Sequence, residues 1–114
     1  MKRIAFFLLL VGGAALLSAC SETKANSETE FWVRGNCDMC KETIETSLEA
    51  VEGGAEASYD LEANTATISF DSAATNPAAL QQAVANAGYE TKTVQADEAA
   101  YADLPKCCKK KEDR

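Results

Sequence analysis

The sequence from residue 31 to residue 54, FWVRGNCDMCKETIETSLEAVEGG, decides the fold of this chain. Three β-prone residues come first, and the chain then breaks at Gly35 and Asn36. Apolar residues follow three or four positions apart until Gly53 and Gly54 end the pattern, which predicts a strand, a loop and a helix. The residues at helical spacing are Cys40, Ile44, Leu48 and Val51.

The rest of the folded segment completes a two-helix pattern. Apolar and polar residues alternate over 55–61 and again over 66–70, which predicts a β-hairpin. Pro77 opens a second helical pattern that Gly88 closes, and residues 89–94 predict a last strand. The order βαββαβ predicts an α+β, ferredoxin-like fold with a four-stranded antiparallel sheet and two helices on one face. The large apolar residues expected in the core are Phe31, Val33, Ile44, Leu48, Val51, Tyr59, Leu61, Ile68, Phe70, Leu80 and Val84.

Charge and composition limit the functions open to this chain. Its 114 residues are enough for one small domain with tails, and its net charge of −7 argues against a nucleic-acid partner. The absence of histidine excludes histidine-based catalytic triads, C2H2 zinc sites and the C-x-x-C-H haem attachment. Since no other set of catalytic residues is recognisable, we expect a protein that is not an enzyme and whose chemistry comes from its five cysteines.

The N-terminus has the features of a lipoprotein signal peptide over residues 1–19. Two basic residues precede an apolar run, and the sequence LSAC at 17–20 resembles the lipobox that signal peptidase II cleaves in bacterial lipoproteins. The resemblance implies a lipid on Cys20, followed by a polar tether over residues 20–29. We therefore expect a lipid-anchored protein of the bacterial cell envelope, facing the periplasm or exterior. Ordinary secretion, which would need a small residue at Leu17, and a short uncleaved anchor are the alternatives.

Cys37 and Cys40 are the candidate metal ligands, because their C-x-x-C sequence lies at the predicted junction of strand and helix. A helix N-terminus lowers the pKa of nearby thiols and favours the thiolate that binds metals, although the charge of Asp38 opposes this effect. Two thiolates without histidine favour soft ions of low coordination number. Cu(I) is therefore the preferred metal, with Hg(II) and Zn(II) as alternatives. Asp38 is expected beside the ligands and is itself a candidate hard ligand.

Residues 30–94 resemble the heavy-metal-associated domain found in copper chaperones, in copper and zinc pumps and in the periplasmic mercury-binding protein. The resemblance rests on C-x-x-C after the first strand, on the element order and on Ala-Gly-Tyr at 87–89. It implies that Cys37 and Cys40 bind the metal and that Tyr89 lies next to them. The family usually has G-M-[TDH]-C, whereas this chain has RGNC at 34–37, without the methionine that normally packs under the loop.

The tail from residue 95 to residue 114 carries a second pair of cysteines, Cys107 and Cys108, among several lysines. Basic neighbours lower thiol pKa values and favour thiolates. The segment 95–106 is long enough to return to the C-x-x-C loop from the far end of the last strand. We therefore predict that Cys107, Cys108 or both are additional metal ligands. An adventitious reactive tail is the alternative.

Five acidic residues spaced four and three positions apart predict a negative face on the first helix. This face is either a solvated surface or a dock for a basic partner. The residues are Asp38, Glu42, Glu45, Glu49 and Glu52.

The predicted function is a membrane-anchored protein that binds a soft metal ion for trafficking or sequestration, with a metal-transporting membrane protein as its expected partner. The alternative is an exported thiol–disulfide oxidoreductase that uses the same C-x-x-C sequence. Thioredoxin-like folds have a tryptophan next to the first cysteine, whereas Trp32 lies five residues upstream of Cys37. A structural disulfide across the loop is a further interpretation of the two cysteines.

Overall fold

The computed structural model describes residues 25–114 of the chain. The predicted signal peptide, the lipid on Cys20 and the first part of the tether lie outside the described residues. Within residues 25–114, no helix has the length and apolar character that crossing a membrane requires.

Five main elements build the domain, and a short helix follows in the tail. They are β1 Ser27–Trp32, α1 Asp38–Glu49, β2 Gly54–Asp60, β3 Thr65–Phe70, α2 Pro77–Asn86 and α3 Glu98–Ala102. The strands form an antiparallel sheet in the order β1-β3-β2, and its buried face shares one hydrophobic core with α1 and α2. The sheet starts three residues before the predicted domain boundary at Glu30, so residues 27–29 of the predicted tether belong to β1.

The predicted fourth strand is reduced to a single bridge between Val33 and Thr91. The sheet of the described residues therefore has three strands instead of four. The Thr91 hydroxyl accepts hydrogen bonds from the backbone amides of Thr93 (3.2 Å) and Val94 (3.0 Å), and the Thr91 amide donates to the Val94 carbonyl (2.9 Å). These local bonds turn the chain away from β1, because a threonine side chain competes with the sheet for backbone donors.

Helix α1 ends at Glu49, earlier than the spacing predicts, and Val51 lies beyond it as a partly buried residue. The Val51 amide donates to the Leu48 carbonyl at 3.2 Å, which tightens the last turn. Gly53 has a φ of +96°, and a Cβ at Gly54 would overlap the Leu48 carbonyl oxygen. The two glycines therefore let the chain reverse closely against the helix end and enter β2.

Two of the five acidic residues predicted to line α1 accept hydrogen bonds from backbone amides of the sheet. The amides of Tyr59 and Ala57, in strand β2, donate to the carboxylates of Glu45 (2.8 Å) and Glu49 (3.0 Å). Burial would raise the pKa of Glu45, but the Lys41 ammonium at 2.6 Å and the Tyr59 amide hold that pKa below its usual value. The acidic residues are therefore not one uniform solvated face.

The core contains most of the predicted apolar residues, whereas Phe31, Val51 and Leu61 are only partly buried. Tyr89 and Cys108, each 2% exposed, join this core from beyond α2. The tail is thus part of the packed domain.

Tyr59 supports the loop that precedes α1. Its hydroxyl donates to the Val33 carbonyl at 2.6 Å and accepts from the Asn64 side-chain amide at 2.8 Å. The same amide donates to the Gly35 carbonyl at 2.8 Å. A Cβ at Gly35 would lie 2.7 Å from the Tyr59 oxygen, so the glycine allows the ring to fill the space under the loop.

We expect Tyr59→Phe to lower the free energy of unfolding by about 1–3 kcal/mol, because it removes a buried partner of Val33 and Asn64. Urea unfolding followed by circular dichroism measures the change. Ser69→Ala is the control, since it deletes a hydroxyl whose exposed bond to the Glu56 carbonyl is 3.4 Å long. Its effect should stay within about 0.5 kcal/mol. Equal losses in the two variants would contradict the role of Tyr59.

Candidate metal centre

The start of α1 brings the two cysteines of the C-x-x-C sequence together. Cys37 is the extended residue before the helix, and Cys40 lies in its first turn, fully buried. Their sulfurs are 3.3 Å apart. One helical turn therefore places both side chains at the same end of α1, as the spacing predicts.

The tail adds a third sulfur to this pair. Cys108 lies in a short 3-10 turn, Lys106–Cys108, and its sulfur is 3.6 Å from that of Cys37. Cys40 and Cys108 are bonded as a disulfide, with their Cα atoms 5.7 Å apart. The three sulfurs of Cys37, Cys40 and Cys108 all lie within 4.8 Å of one another and are called the inner cluster below.

The disulfide differs from the interpretation in which Cys37 pairs with Cys40 across the loop. Cys40 pairs with Cys108, while Cys37 and Cys107 are free thiols. A sulfur in a disulfide is not a thiolate ligand. The structure therefore shows the oxidised form of the inner cluster.

Tyr89 lies beside the cluster, as the family resemblance implies, but it contacts the cysteine from the tail. Its hydroxyl donates to the Cys108 sulfur at 3.5 Å. Burial raises the pKa of Tyr89, an effect that hydrogen bonding to Thr43 partly offsets. The phenol therefore stays protonated and available as a donor to sulfur.

Cys107 faces the rim of the site and is not in the inner cluster. Its sulfur lies 4.0 Å from that of Met39, a side chain that is 54% exposed. The two adjacent cysteines of the tail therefore occupy different positions, with Cys108 in the inner cluster and Cys107 at its rim.

The two free thiols, Cys37 and Cys107, have opposite pKa shifts. Burial would raise the pKa of Cys37, but hydrogen bonding to the Cys107 thiol and to nearby backbone amides leaves that pKa below its usual value. Hydrogen bonding to Cys37 raises the pKa of Cys107. Cys37 is therefore the first of the two to become a thiolate.

Asp38 opens α1 with an exposed side chain. Its carboxylate is not part of the inner cluster among the described residues. Its negative charge acts on the site at a distance, by raising the pKa of Cys37, as the sequence predicts. This effect is the smallest of those that set the Cys37 pKa.

Polar and backbone contacts hold the tail against the domain. The Asn36 side chain donates to the Lys109 carbonyl at 2.9 Å, and the Lys110 ammonium lies 3.4 Å from the Glu90 carboxylate. Gly88 has a φ of +107°, and a Cβ there would lie 3.1 Å from the backbone of Ala100 in α3. Sequence reasoning missed these roles, because a loop asparagine and a helix-ending glycine have no signature for a distant partner.

Comparison with known proteins identifies the domain. The family model of the heavy-metal-associated domain matches residues 30–90, more than half of the 114-residue chain. Cys107 and Cys108 lie outside this match. The family pattern therefore covers the C-x-x-C loop but not the tail.

Individual relatives point the same way. Copper-transporting ATPase 2 of Rhizobium meliloti (strain 1021) is 37% identical over 75 residues, which are 65% of this chain but only 9% of the ATPase. Copper chaperone CopZ of Staphylococcus saprophyticus is 32% identical over 57 residues, which are 50% of this chain and 84% of the chaperone. A solved copper-binding domain from the P-type ATPase HMA7 is 27% identical with a TM-score of 0.55, covering 57% of this chain and 89% of that domain. This likeness confirms the ferredoxin-like fold.

In the disulfide form, alkylation should modify Cys37 and Cys107 among the described cysteines, because Cys40 and Cys108 are bonded. Thiolates are the reactive species, so the lowered pKa of Cys37 and the raised pKa of Cys107 predict that Cys37 is labelled at the lower pH. Mass spectrometry of non-reduced peptides over a pH series gives both the linkage and the order of labelling. A Cys37–Cys40 crosslink, or earlier labelling of Cys107, would contradict this assignment.

Proposed function

The chain belongs to the heavy-metal-associated domain family, and from this premise we propose that it binds a soft metal ion through the inner cluster, for trafficking or sequestration. The observation that carries the proposal is the convergence of three sulfurs from Cys37, Cys40 and Cys108. Sulfur ligands select soft ions. The ion is cargo, and binding needs no catalytic turnover.

Metal binding requires the reduced form of the cluster. A dithiol reductant would cleave the Cys40–Cys108 disulfide, becoming a disulfide itself and leaving two protein thiols. A trigonal ion with metal–sulfur bonds of about 2.3 Å separates its sulfurs by about 4 Å. The sulfurs of Cys40 and Cys108 already lie near this distance from that of Cys37, at 3.3 and 3.6 Å, and would have to move apart from each other once their bond is broken.

Cu(I) is the ion that the site fits best. A cluster of three sulfurs without histidine matches its preference for soft ligands and low coordination number. Structural zinc sites have four ligands, one more than the inner cluster supplies. The relatives are named as a copper-transporting ATPase and a copper chaperone, which supports the same choice. Hg(II) and Zn(II) are the competing ions.

We further propose that the protein is anchored to a membrane of the bacterial cell envelope through a lipid on Cys20, facing the periplasm or exterior. The lipobox sequence at 17–20 supports this placement. A metal-transporting membrane protein is the proposed partner, because similar domains occur within copper-transporting ATPases. The net charge of −7 argues against nucleic acid as a binding partner.

Thiol–disulfide exchange is the second candidate function, because the Cys37 sulfur lies 3.3 Å from one sulfur of the disulfide. Attack by the Cys37 thiolate on Cys40 would form a Cys37–Cys40 bond and release Cys108 as a thiolate. A protein that accelerates disulfide exchange in other proteins but binds no soft ion tightly would favour this function.

Loss of either C-x-x-C sulfur should lower the Cu(I) affinity of the reduced chain by more than about 100-fold, since changes to mere neighbours of metal ligands already cost 10–100-fold. The variants are Cys37→Ser and Cys40→Ser, each in the full chain with Cys20→Ser, so that Cys20 adds no thiol. Anaerobic titration against a Cu(I) chelator measures the affinity, with parallel titrations of Hg(II) and Zn(II).

The control for this titration is Asp38→Asn, which changes the charge beside the site but removes no sulfur. Its effect should stay within about fivefold, as expected for an exposed charge. Cys108→Ser should reduce the number of sulfur neighbours in X-ray absorption of the loaded protein from three to two. Unchanged affinity for all three ions in both C-x-x-C variants would refute the proposed function.

The lipid anchor has a separate test. Cys20→Ala should leave an unprocessed precursor without lipid label, because the acylated side chain and the cleavage site are both lost. Metabolic labelling with a fatty acid, with Cys107→Ala as the control that keeps the label, measures this. A free Cys20 thiol on the native mature protein would contradict the anchor.

A further inference from the structure

Two more sulfurs lie at the rim of the inner cluster. The sulfurs of Cys107 and Met39 are 4.0 Å apart, and Met39 is the exposed large apolar side chain of the described residues. Cys40 and Cys108 are almost fully buried, whereas Cys107 is partly exposed. The sulfurs of Cys107 and Met39, called the rim pair below, are therefore accessible to an ion in solution, whereas the bonded sulfurs of Cys40 and Cys108 are not.

Cys37 is the sulfur of the inner cluster that is still a free thiol. It lies 3.3 Å and 3.6 Å from the disulfide sulfurs of Cys40 and Cys108, whose neighbours in the chain, Met39 and Cys107, carry the two rim sulfurs. Cys37 and Cys107 are also the two free thiols among the described cysteines. Two potential thiolates and one thioether are thus available while the disulfide is intact.

The spacing of the rim pair already suits a metal ion. An ion held by three sulfurs in a plane, with bonds of about 2.3 Å, separates each pair of sulfurs by about 4 Å. The distance between Cys107 and Met39 is 4.0 Å. Thioether and thiolate sulfurs are both ligands that Cu(I) prefers.

We propose that Cys37, Cys107 and Met39 form a second site for a soft ion such as Cu(I), which stays available while Cys40 and Cys108 are bonded to each other. This outer site deepens the proposed function and rests on it for the choice of ion. Binding releases the two thiol protons to solvent, transfers no electrons and leaves the disulfide intact.

The shared cysteine connects the two sites. When an external dithiol reduces the Cys40–Cys108 disulfide and is itself oxidised, two new thiolate ligands appear beside Cys37. An ion in the outer site can then exchange Cys107 and Met39 for Cys40 and Cys108 without leaving Cys37. The outer site thus passes its ion to the inner cluster.

The test uses the full chain with Cys20→Ser in its disulfide form, and Ag(I) as the probe, since this soft ion has no accessible redox step with a disulfide. One Ag(I) should bind, measured by native mass spectrometry and by competition with a thiol ligand. Cys107→Ser should weaken binding by more than about 100-fold, beyond the cost of changing a mere neighbour of a ligand. Met39→Leu, which nearly conserves the volume of the side chain, should weaken it by about tenfold.

The same variants in the reduced state separate this proposal from the proposed function. There, Met39→Leu should leave the affinity of the inner cluster for Cu(I) within about twofold, since its sulfur does not belong to that cluster. Cys107→Ser, which removes a neighbour that lowers the Cys37 pKa, should weaken it by no more than about tenfold. Failure of the proposed function would appear instead as unchanged Cu(I) binding in reduced Cys37→Ser and Cys40→Ser.

A second variant avoids dependence on the disulfide. Cys40→Ser/Cys108→Ser cannot form the disulfide and keeps all three sulfurs of the outer site, so it should still bind one Cu(I) and lose it when Cys107→Ser is added. The outer site is refuted if neither the disulfide form nor this double variant binds an ion, or if Cys107→Ser leaves their affinities unchanged.

Discussion

The return of the tail to the first turn of α1 is the constraint on which this site depends. Cys37 and Cys40 are brought together by one turn of helix, whereas Cys108 arrives from 68 residues beyond Cys40. A few contacts fix that arrival, among them the bond from Asn36 to the Lys109 carbonyl and the close approach of α3 to Gly88. Through them, the C-x-x-C loop becomes part of a cluster of three sulfurs, and the sulfurs of Cys107 and Met39 lie 4.0 Å apart on the residues next to it in the chain.

The loop itself is held from below by an aromatic ring. Gly35 stands in the RGNC sequence where the family pattern has methionine, and the Tyr59 hydroxyl would lie only 2.7 Å from a Cβ at that position. A large side chain from β2 therefore takes the space that a side chain of the loop would otherwise fill. Because Tyr59 also bonds to the Val33 carbonyl, the loop is tied to the sheet as well as to the helix.

Local patterns predicted most of the elements, because helix and strand periodicity follow from which face is buried. The predictions failed where a side chain competes with backbone pairing, as Thr91 does in the reduced fourth strand. Four of the five acidic residues predicted to line α1 are exposed as expected, but spacing along a helix does not show that the carboxylates of Glu45 and Glu49 accept hydrogen bonds from the free edge of β2. The pairing of Cys40 with Cys108 could not be deduced, because it depends on the path of a tail without strong periodicity.

The long separation between Cys40 and Cys108 has a consequence for the unfolded chain. A crosslink across 68 residues restricts the unfolded ensemble, and in the chain-entropy account this favours the folded state by about 4 kcal/mol. For a domain of this size, that amount is comparable to the whole stability that its small core can supply. Reduction of the disulfide, which frees the metal ligands, therefore also removes this restriction on the unfolded chain. An ion bound by both Cys40 and Cys108 would restore the crosslink in a reversible form.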